Sequence, residues 1–260
     1  MTNGIINITI DQKPCTCEKG ETILSAAARI GIEIPTLCHH EGLCGQGVCR
    51  VCMVEIVENN WSQMVAACIF PVQRSVSVFT DSEKVKKHRA AVISLLLART
   101  PGNERIGILA KRYNVQPDER FIAQAGEKCM VCGLCVRACS SLGSGAISTV
   151  NRGITKKIAT PYDEPSAACI GCSSCANVCP TGYIDVEEND GERIIWGKKF
   201  EMIRCAVCGR HYMTKEQYDY ISKKTGADGQ PKYGANSVCE SCNRTAIAKK
   251  WVENTKYVYD

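Results

Sequence analysis

The residues able to do chemistry here are cysteines. Nineteen of the 260 residues are Cys, and they fall in clumps at 15–17, 38–68, 129–139, 169–179 and 205–242. The densest pattern, C-x2-C-x2-C-x3-C, occurs twice, as CMVCGLCVRAC from Cys129 and CIGCSSCANVC from Cys169. Three cysteines at this spacing wrap one face of an iron-sulfur cubane, and the fourth, displaced by the start of a helix, reaches the neighbouring cluster. On this reading Cys129, Cys132, Cys135 and Cys179 hold one 4Fe-4S cluster, while Cys169, Cys172, Cys175 and Cys139 hold a second. Pro180 gives the first of these sets its usual ending; Ser140, after Cys139, does not. Zinc explains the runs poorly, because it takes its ligands as two separated pairs.

A second constellation, IPTLCHHEGLCGQGVCRVCMVEI followed by Cys68, suits a 2Fe-2S cluster. Gly42, Gly45 and Gly47 would let backbone N–H groups approach its sulfides, a contact that tunes potential. Spacing leaves the first ligand open. Cys44-x4-Cys49-x2-Cys52 has the plant-type gap, and Cys38 gives a longer one. A third constellation, Cys205-x2-Cys208 and Cys239-x2-Cys242, has the two-plus-two spacing of a tetrahedral zinc site, with a single iron as the rival occupant. Zinc does not change oxidation state, so this ribbon is expected to brace the tail or dock a partner. Cys15 and Cys17 point to one side of a strand and read as small buried hydrophobes. His39 and His40 beside Cys38 read as loop histidines, and His211 is not needed as a ligand.

The elements that must position these groups are legible in outline. Ile5–Ile10 alternates as a strand, Asp11-Gln12-Lys13 turns it into a second, and residues 22–30 read as a helix ended by Gly31. Strand-like runs follow at 51–57, 64–69 and 75–79. Thr80 and Glu83 have the spacing of a capping box before a helix over 85–99, and a short helix is expected over 103–113. The Lys84–Arg89 run reads as a solvated helix face. Cys129, Cys132, Cys135 and Cys139 recur at Cys169, Cys172, Cys175 and Cys179, all at one offset, so the two halves are structurally related. Tyr183, Trp196 and Trp251 read as packing residues.

Composition narrows the classes. With four Phe and three Trp the chain cannot build one aromatic-rich core, and several metal-held units fit better. The formal charge of +5 counts thiolates as neutral. Four four-thiolate centres of about −2 each would bring it to roughly −3, so the basic balance gives no support for nucleic-acid binding. The longest apolar run, near Ala90–Ala98, is too short to span a membrane, and the N-terminus lacks a secretory pattern, which points to a reducing, cytoplasmic setting. No dinucleotide-binding glycine fingerprint, P-loop or nucleophile–base set is present. No catalytic residue is expected.

IPTLCHHEGLCGQGVCRVCMVEI resembles the N-terminal region of the large iron-sulfur subunit of respiratory complex I, and of related subunits in NAD-linked hydrogenases and formate dehydrogenases. The resemblance runs over about residues 1–190 and includes GAISTVNRGITKKIATPYDEP between the cluster motifs. It implies a C-x10-C-x2-C pattern with a later cysteine, which carries over to Cys38, Cys49, Cys52 and Cys68, with Cys44 as a buried or nearby spare thiol. Where complex I subunits place a His and three Cys for a further cluster, this chain has LLLARTPGNERIGIL without a ligand, and His88 lies too early.

The expected architecture is therefore α+β. A β-grasp 2Fe-2S ferredoxin domain occupies 1–80, a helical connector 81–117, a two-cluster 4Fe-4S ferredoxin domain 118–190 and a zinc-ribbon-like tail 191–260. The resemblance implies electron transfer through one 2Fe-2S and two 4Fe-4S clusters, between a flavin-containing NAD(H)-reactive subunit, with a small 2Fe-2S subunit, and hydrogenase subunits. Free ferredoxin is a candidate third partner. No molybdopterin or hydrogen-activating domain is found within the chain, so catalysis is expected in partner chains. The rivals are a formate dehydrogenase electron-transfer subunit and a non-redox zinc-binding interaction protein.

Overall fold

The structure is a computed structural model describing residues 4–59, 61–121, 123, 125–226 and 237–255. Strands β1 (Ile5–Ile10) and β2 (Lys13–Glu18) pair through Asp11 and Gln12, whose φ angles of 45° and 66° make a turn with the twist that antiparallel strands require. Helix α1 (Ile23–Arg29) starts at Thr22, whose hydroxyl accepts from the Ser25 N–H, and Gly31 follows it in the left-handed region. Strands β3 (Met53–Glu58), β4 (Trp61–Ala66) and β5 (Ser77–Phe79) complete a mixed sheet of order β2-β1-β5-β3-β4, with β1 and β5 parallel. Alternate residues such as Ile8, Ile10, Val54, Ile56 and Val78 meet α1 through Ile23 and Ala27. Burying each such aliphatic side chain contributes about 1.5–3 kcal/mol. Cys15 and Cys17 lie in this core, and burial pushes the Cys17 thiol up to about 11.

Two helices lead onward, α2 (Glu83–Arg99) and α3 (Glu104–Arg112). The cap of α2 is Ser82 rather than Thr80. Thr80 is buried and engaged elsewhere: its N–H and hydroxyl both donate to the Asp11 carboxylate, at 2.8 and 2.5 Å. The basic run is also not wholly solvated. Arg89 is 2% exposed and donates to the carbonyls of Val51, Met53 and Thr80, with the Tyr113 ring 5.0 Å from its guanidinium. At the far end of the helix Arg99 donates to the carbonyls of Cys129, Ile154 and Lys156. Hydrogen bonds from charged donors contribute about 1.5–3 kcal/mol each, so α2 is a bar pinned to both cysteine modules.

Beyond it come α4 (Leu134–Leu142), β6 (Ser148–Val150), β7 (Lys157–Ala159) and the single turn α5 (Ser174–Asn177). A four-stranded sheet follows, β8 (Val186–Asn189), β9 (Glu192–Ile195), β10 (Lys198–Arg204) and β11 (His211–Thr214), then α6 (Lys215–Thr225) and α7 (Glu240–Thr255). The β8–β9 hairpin turns at Asp190-Gly191, so strands of one sheet lie on both sides of residue 190. Ile195 and Phe200 pack into the core that holds Cys129, Cys135, Cys169 and Cys175. Part of the glycine-punctuated span between the last two cysteine pairs, 227–236, lies outside the described residues. Trp251, read as a packing residue, is 70% exposed on α7. No described helix is long and apolar enough to cross a membrane.

Candidate metal centres

None of the nineteen cysteines forms a disulfide. In the N-terminal loop Cys38, Cys49, Cys52 and Cys68 are all buried, whereas Cys44 is exposed, which leaves of the two readings for it the nearby thiol and not the buried one. The four form two pairs. The Cys49 N–H donates to Cys38 Sγ at 3.3 Å, and Cys52 Sγ lies 3.3 Å from Cys68 Sγ. The Cys49 thiol, and then backbone N–H groups and the Arg137 guanidinium, hold Cys38 down to about 6; Cys68 holds Cys52 down to about 7. Their partners Cys49 and Cys68 are pushed up, first by those same contacts and then by burial. Four thiols so placed cannot all ionise without a cationic centre among them, which is the donor set a cluster needs.

Two of the loop glycines have steric and hydrogen-bonding work of their own. The Gly42 N–H goes to His40 Nδ1, while a Cβ on Gly45 would lie 2.9 Å from the Cys68 carbonyl oxygen, so only glycine lets the loop approach the strand end that carries Cys68. Among the described residues His39 Nδ1 is buried without a hydrogen-bond partner.

The doubled motif repeats in backbone as well as in sequence. Val131 and Gly133 have φ of 55° and 74°, and Gly171 and Ser173, forty positions on, have 68° and 59°. A β-branched residue in this region is an outlier, and strain of that kind persists only where the surroundings impose it. The turn aims backbone donors at sulfur: the Val131 N–H meets Cys129 Sγ at 3.4 Å. Each fourth cysteine is likewise met, Cys139 Sγ by the Ala146 N–H at 3.2 Å and Cys179 Sγ by the Tyr183 N–H at 3.3 Å.

Burial raises the thiols of Cys129, Cys132 and Cys135, and the charge of Cys179 adds to the rise in all three. Cys139 acts in the same sense on Cys169 and Cys175. A cavity lined by Cys139, Cys169, Cys172 and Cys175 together with Ile195 and Trp196 lies at the second set. Each fourth cysteine therefore keeps company with the other run.

In the tail the sulfurs of Cys205, Cys208, Cys239 and Cys242 all lie within 4.8 Å of one another. Cys208 Sγ and Cys239 Sγ are 3.8 Å apart, close to the separation of about 3.8 Å that Zn–S bonds of about 2.3 Å give in a tetrahedron. The Cys239 N–H donates to Cys205 Sγ and Arg210 reaches Cys239 Sγ, so cationic and N–H donors face thiolates here too. His211 is exposed and stands outside the set.

Residues 4–83 match a 2Fe-2S iron-sulfur cluster binding domain, and residues 128–183 match a 4Fe-4S dicluster domain. The chain joins two iron-sulfur domains. It is similar to the NADPH-Fe(3+) oxidoreductase subunit alpha of Geobacter sulfurreducens, 32% identical over 204 residues that make up 69% of this chain and 24% of that protein. The NADP-reducing hydrogenase subunit HndD of Solidesulfovibrio fructosivorans is 31% identical over 212 residues, 70% of this chain and 36% of that protein. The mitochondrial NADH-ubiquinone oxidoreductase 78 kDa subunit of Candida albicans is 27% identical over 205 residues, 69% of this chain and 28% of that protein. The chain thus spans between about a quarter and just over a third of these relatives' lengths. A chain from the crystal structure of an NAD+-reducing [NiFe]-hydrogenase in the H2-reduced state shares the fold, with a TM-score of 0.59 at 24% identity, covering 68% of this chain and 86% of that one.

The 2Fe-2S domain and the dicluster domain share interior. Leu37, Cys38, Cys49 and Val51 of the first pack in one buried cluster with Met130, Cys132 and Leu134 of the second, around Ile106 of α3. The tail sheet in turn seats on the second motif. Thr214 and Arg193 donate to the carbonyls of Ile170 and Gly171, Lys198 donates to the Cys169 carbonyl, and a Cβ on Gly171 would strike Phe200 and Thr214 at 2.8 Å. Sequence reading missed two contributors, Arg137 and Lys198; Trp196, read as a packing residue, packs against the core that holds Cys175. Burial pushes the Cys175 thiol up to about 11, and the Trp196 indole nitrogen beside the same cavity is buried without a hydrogen-bond partner among the described residues. Trp196 lies seventeen residues beyond Cys179, in the turn between β9 and β10, so no local pattern ties it to the cysteines.

Proposed function

We propose that the chain is a non-catalytic electron-transfer subunit with three iron-sulfur clusters and a structural zinc. The 2Fe-2S cluster would be held by Cys38, Cys49, Cys52 and Cys68. One 4Fe-4S cluster takes Cys129, Cys132, Cys135 and Cys179, and the second takes Cys169, Cys172, Cys175 and Cys139. Zinc takes Cys205, Cys208, Cys239 and Cys242. Clusters of these types each accept and pass on one electron.

The chain's own residues provide burial, N–H donors to sulfur and a fixed order of centres. The observation that carries the reading is contiguity: Cys38 and Cys49 share a core with Cys132, and Cys129 and Cys135 share another with Cys169 and Cys175. Buried sulfur sets in succession serve as a conduit.

The relatives' names point to the ends of that conduit. A flavin-containing subunit reactive with NAD(H) or NADP(H), with a small 2Fe-2S subunit, stands at one end and hydrogenase subunits at the other, and free ferredoxin is a third exchange partner. Isolation of the complex under anaerobic conditions tests this. Copurifying flavin and nickel are expected; molybdenum or tungsten in place of nickel would assign the chain to a formate dehydrogenase.

The zinc reading has its own test. Cys208→Ser should lower zinc from about one per chain to near none by elemental analysis, while the EPR signals of the reduced clusters keep their intensity. Loss of about one iron per chain with no change in zinc and with the cluster signals intact would assign this site to a single iron.

A further inference from the structure

Arg137 lies on α4 between Cys135 and Cys139 and is 9% exposed. Its side chain leaves its own domain. One terminal nitrogen donates to the Cys38 carbonyl at 2.6 Å and the other to the Cys44 carbonyl, the two ends of the first half of the 2Fe-2S loop. Its Nε is buried without a hydrogen-bond partner, and no carboxylate pairs with the guanidinium among the described residues. The other buried arginines are better served. Arg193 has Glu188, and Arg89 has three carbonyls and an aromatic face.

A guanidinium stays protonated under any condition a folded protein meets, and a buried cation is costly unless an anion compensates it. The groups around it able to carry negative charge are cysteine thiols. Cys38 lies on one side, and Cys132 packs in the same buried cluster as Cys38. A fixed positive charge beside an anionic cluster favours the arrival of another electron.

We propose that Arg137 is the positioning and tuning residue between the 2Fe-2S centre and the first 4Fe-4S centre: its fork fixes the 38–44 loop against α4, and its charge raises the 2Fe-2S reduction potential. The proposal rests on the ligand set proposed above for that centre. One electron moves and no proton does.

The test is a potentiometric EPR titration of the anaerobically prepared protein, comparing wild type with Arg137→Met and Arg137→Lys. Arg137→Met should retain iron, sulfide and line shape, while at fixed poise its ratio of reduced to oxidised 2Fe-2S centre falls tenfold or more, equivalent to about 59 mV for one electron. Arg137→Lys keeps the charge and should stay within about threefold of wild type. A wild-type potential in Arg137→Met with its centre intact overturns the proposal, as does an Arg137→Lys centre shifted as far as that of Arg137→Met.

Should Arg137→Met not assemble, Arg137→Lys decides alone: within threefold supports the tuning role, and a tenfold fall overturns it. A wild-type protein with no 2Fe-2S signal at all would instead remove the ligand set on which the proposal stands.

Discussion

Cys38→Ser should remove or reshape the 2Fe-2S EPR signal, with at least about a tenfold loss of native signal per chain, while Cys44→Ser should leave it largely intact. The two cysteines are six positions apart, and the plant-type gap favours the second. The fold separates them. Cys38 is 1% exposed and accepts the Cys49 N–H, whereas Cys44 is exposed and contributes its carbonyl to Arg137. A ligand must bring its sulfur to the buried set, and Cys44 gives only backbone to that neighbourhood. The opposite outcome, signal lost in Cys44→Ser and kept in Cys38→Ser, would require the loop to be threaded differently from the structure.

Crossed ligation makes an equally large prediction. Cys139→Ser should damage the cluster built from Cys169, Cys172 and Cys175, and Cys179→Ser the one built from Cys129, Cys132 and Cys135. Each should lose up to about four irons per chain. Pairing the substitutions identifies which cluster each residue serves. Cys139→Ser with Cys169→Ser should remove no more iron than either alone, because both act on one centre, while Cys139→Ser with Cys132→Ser should remove about twice as much. Uncrossed ligation reverses those two results. The cavity shared by Cys139, Cys169, Cys172 and Cys175 is the physical ground for the crossed order.

Much of this arrangement was legible because it is local or periodic. The alternation of Ile6, Ile8 and Ile10 with polar residues marks a strand, the Asp11-Gln12 turn separates it from the next, and the forty-residue offset of eight cysteines exposes the duplicated motif. The sites were legible because metal chemistry fixes both residue type and spacing. What stayed hidden depends on contacts remote in sequence. Arg89 sits in a basic run whose lysines are exposed, and only the position of the Val51 and Met53 carbonyls makes it a buried pin. Ser82 takes the cap from Thr80 because Asp11, remote in sequence but at the end of the neighbouring strand β1, claims the threonine hydroxyl. Val131 and Ser173 in left-handed conformations run against local preference, as expected where cluster-binding loops override propensity. The choice between Cys38 and Cys44 is likewise a question of burial, which spacing does not encode.

The account as a whole is tested most directly by chemical analysis of the anaerobically isolated protein for iron, acid-labile sulfide and zinc. One binuclear and two tetranuclear clusters with a separate tail site require about ten irons, ten sulfides and one zinc per chain. A protein that is folded and zinc-loaded yet contains no inorganic sulfide would contradict it.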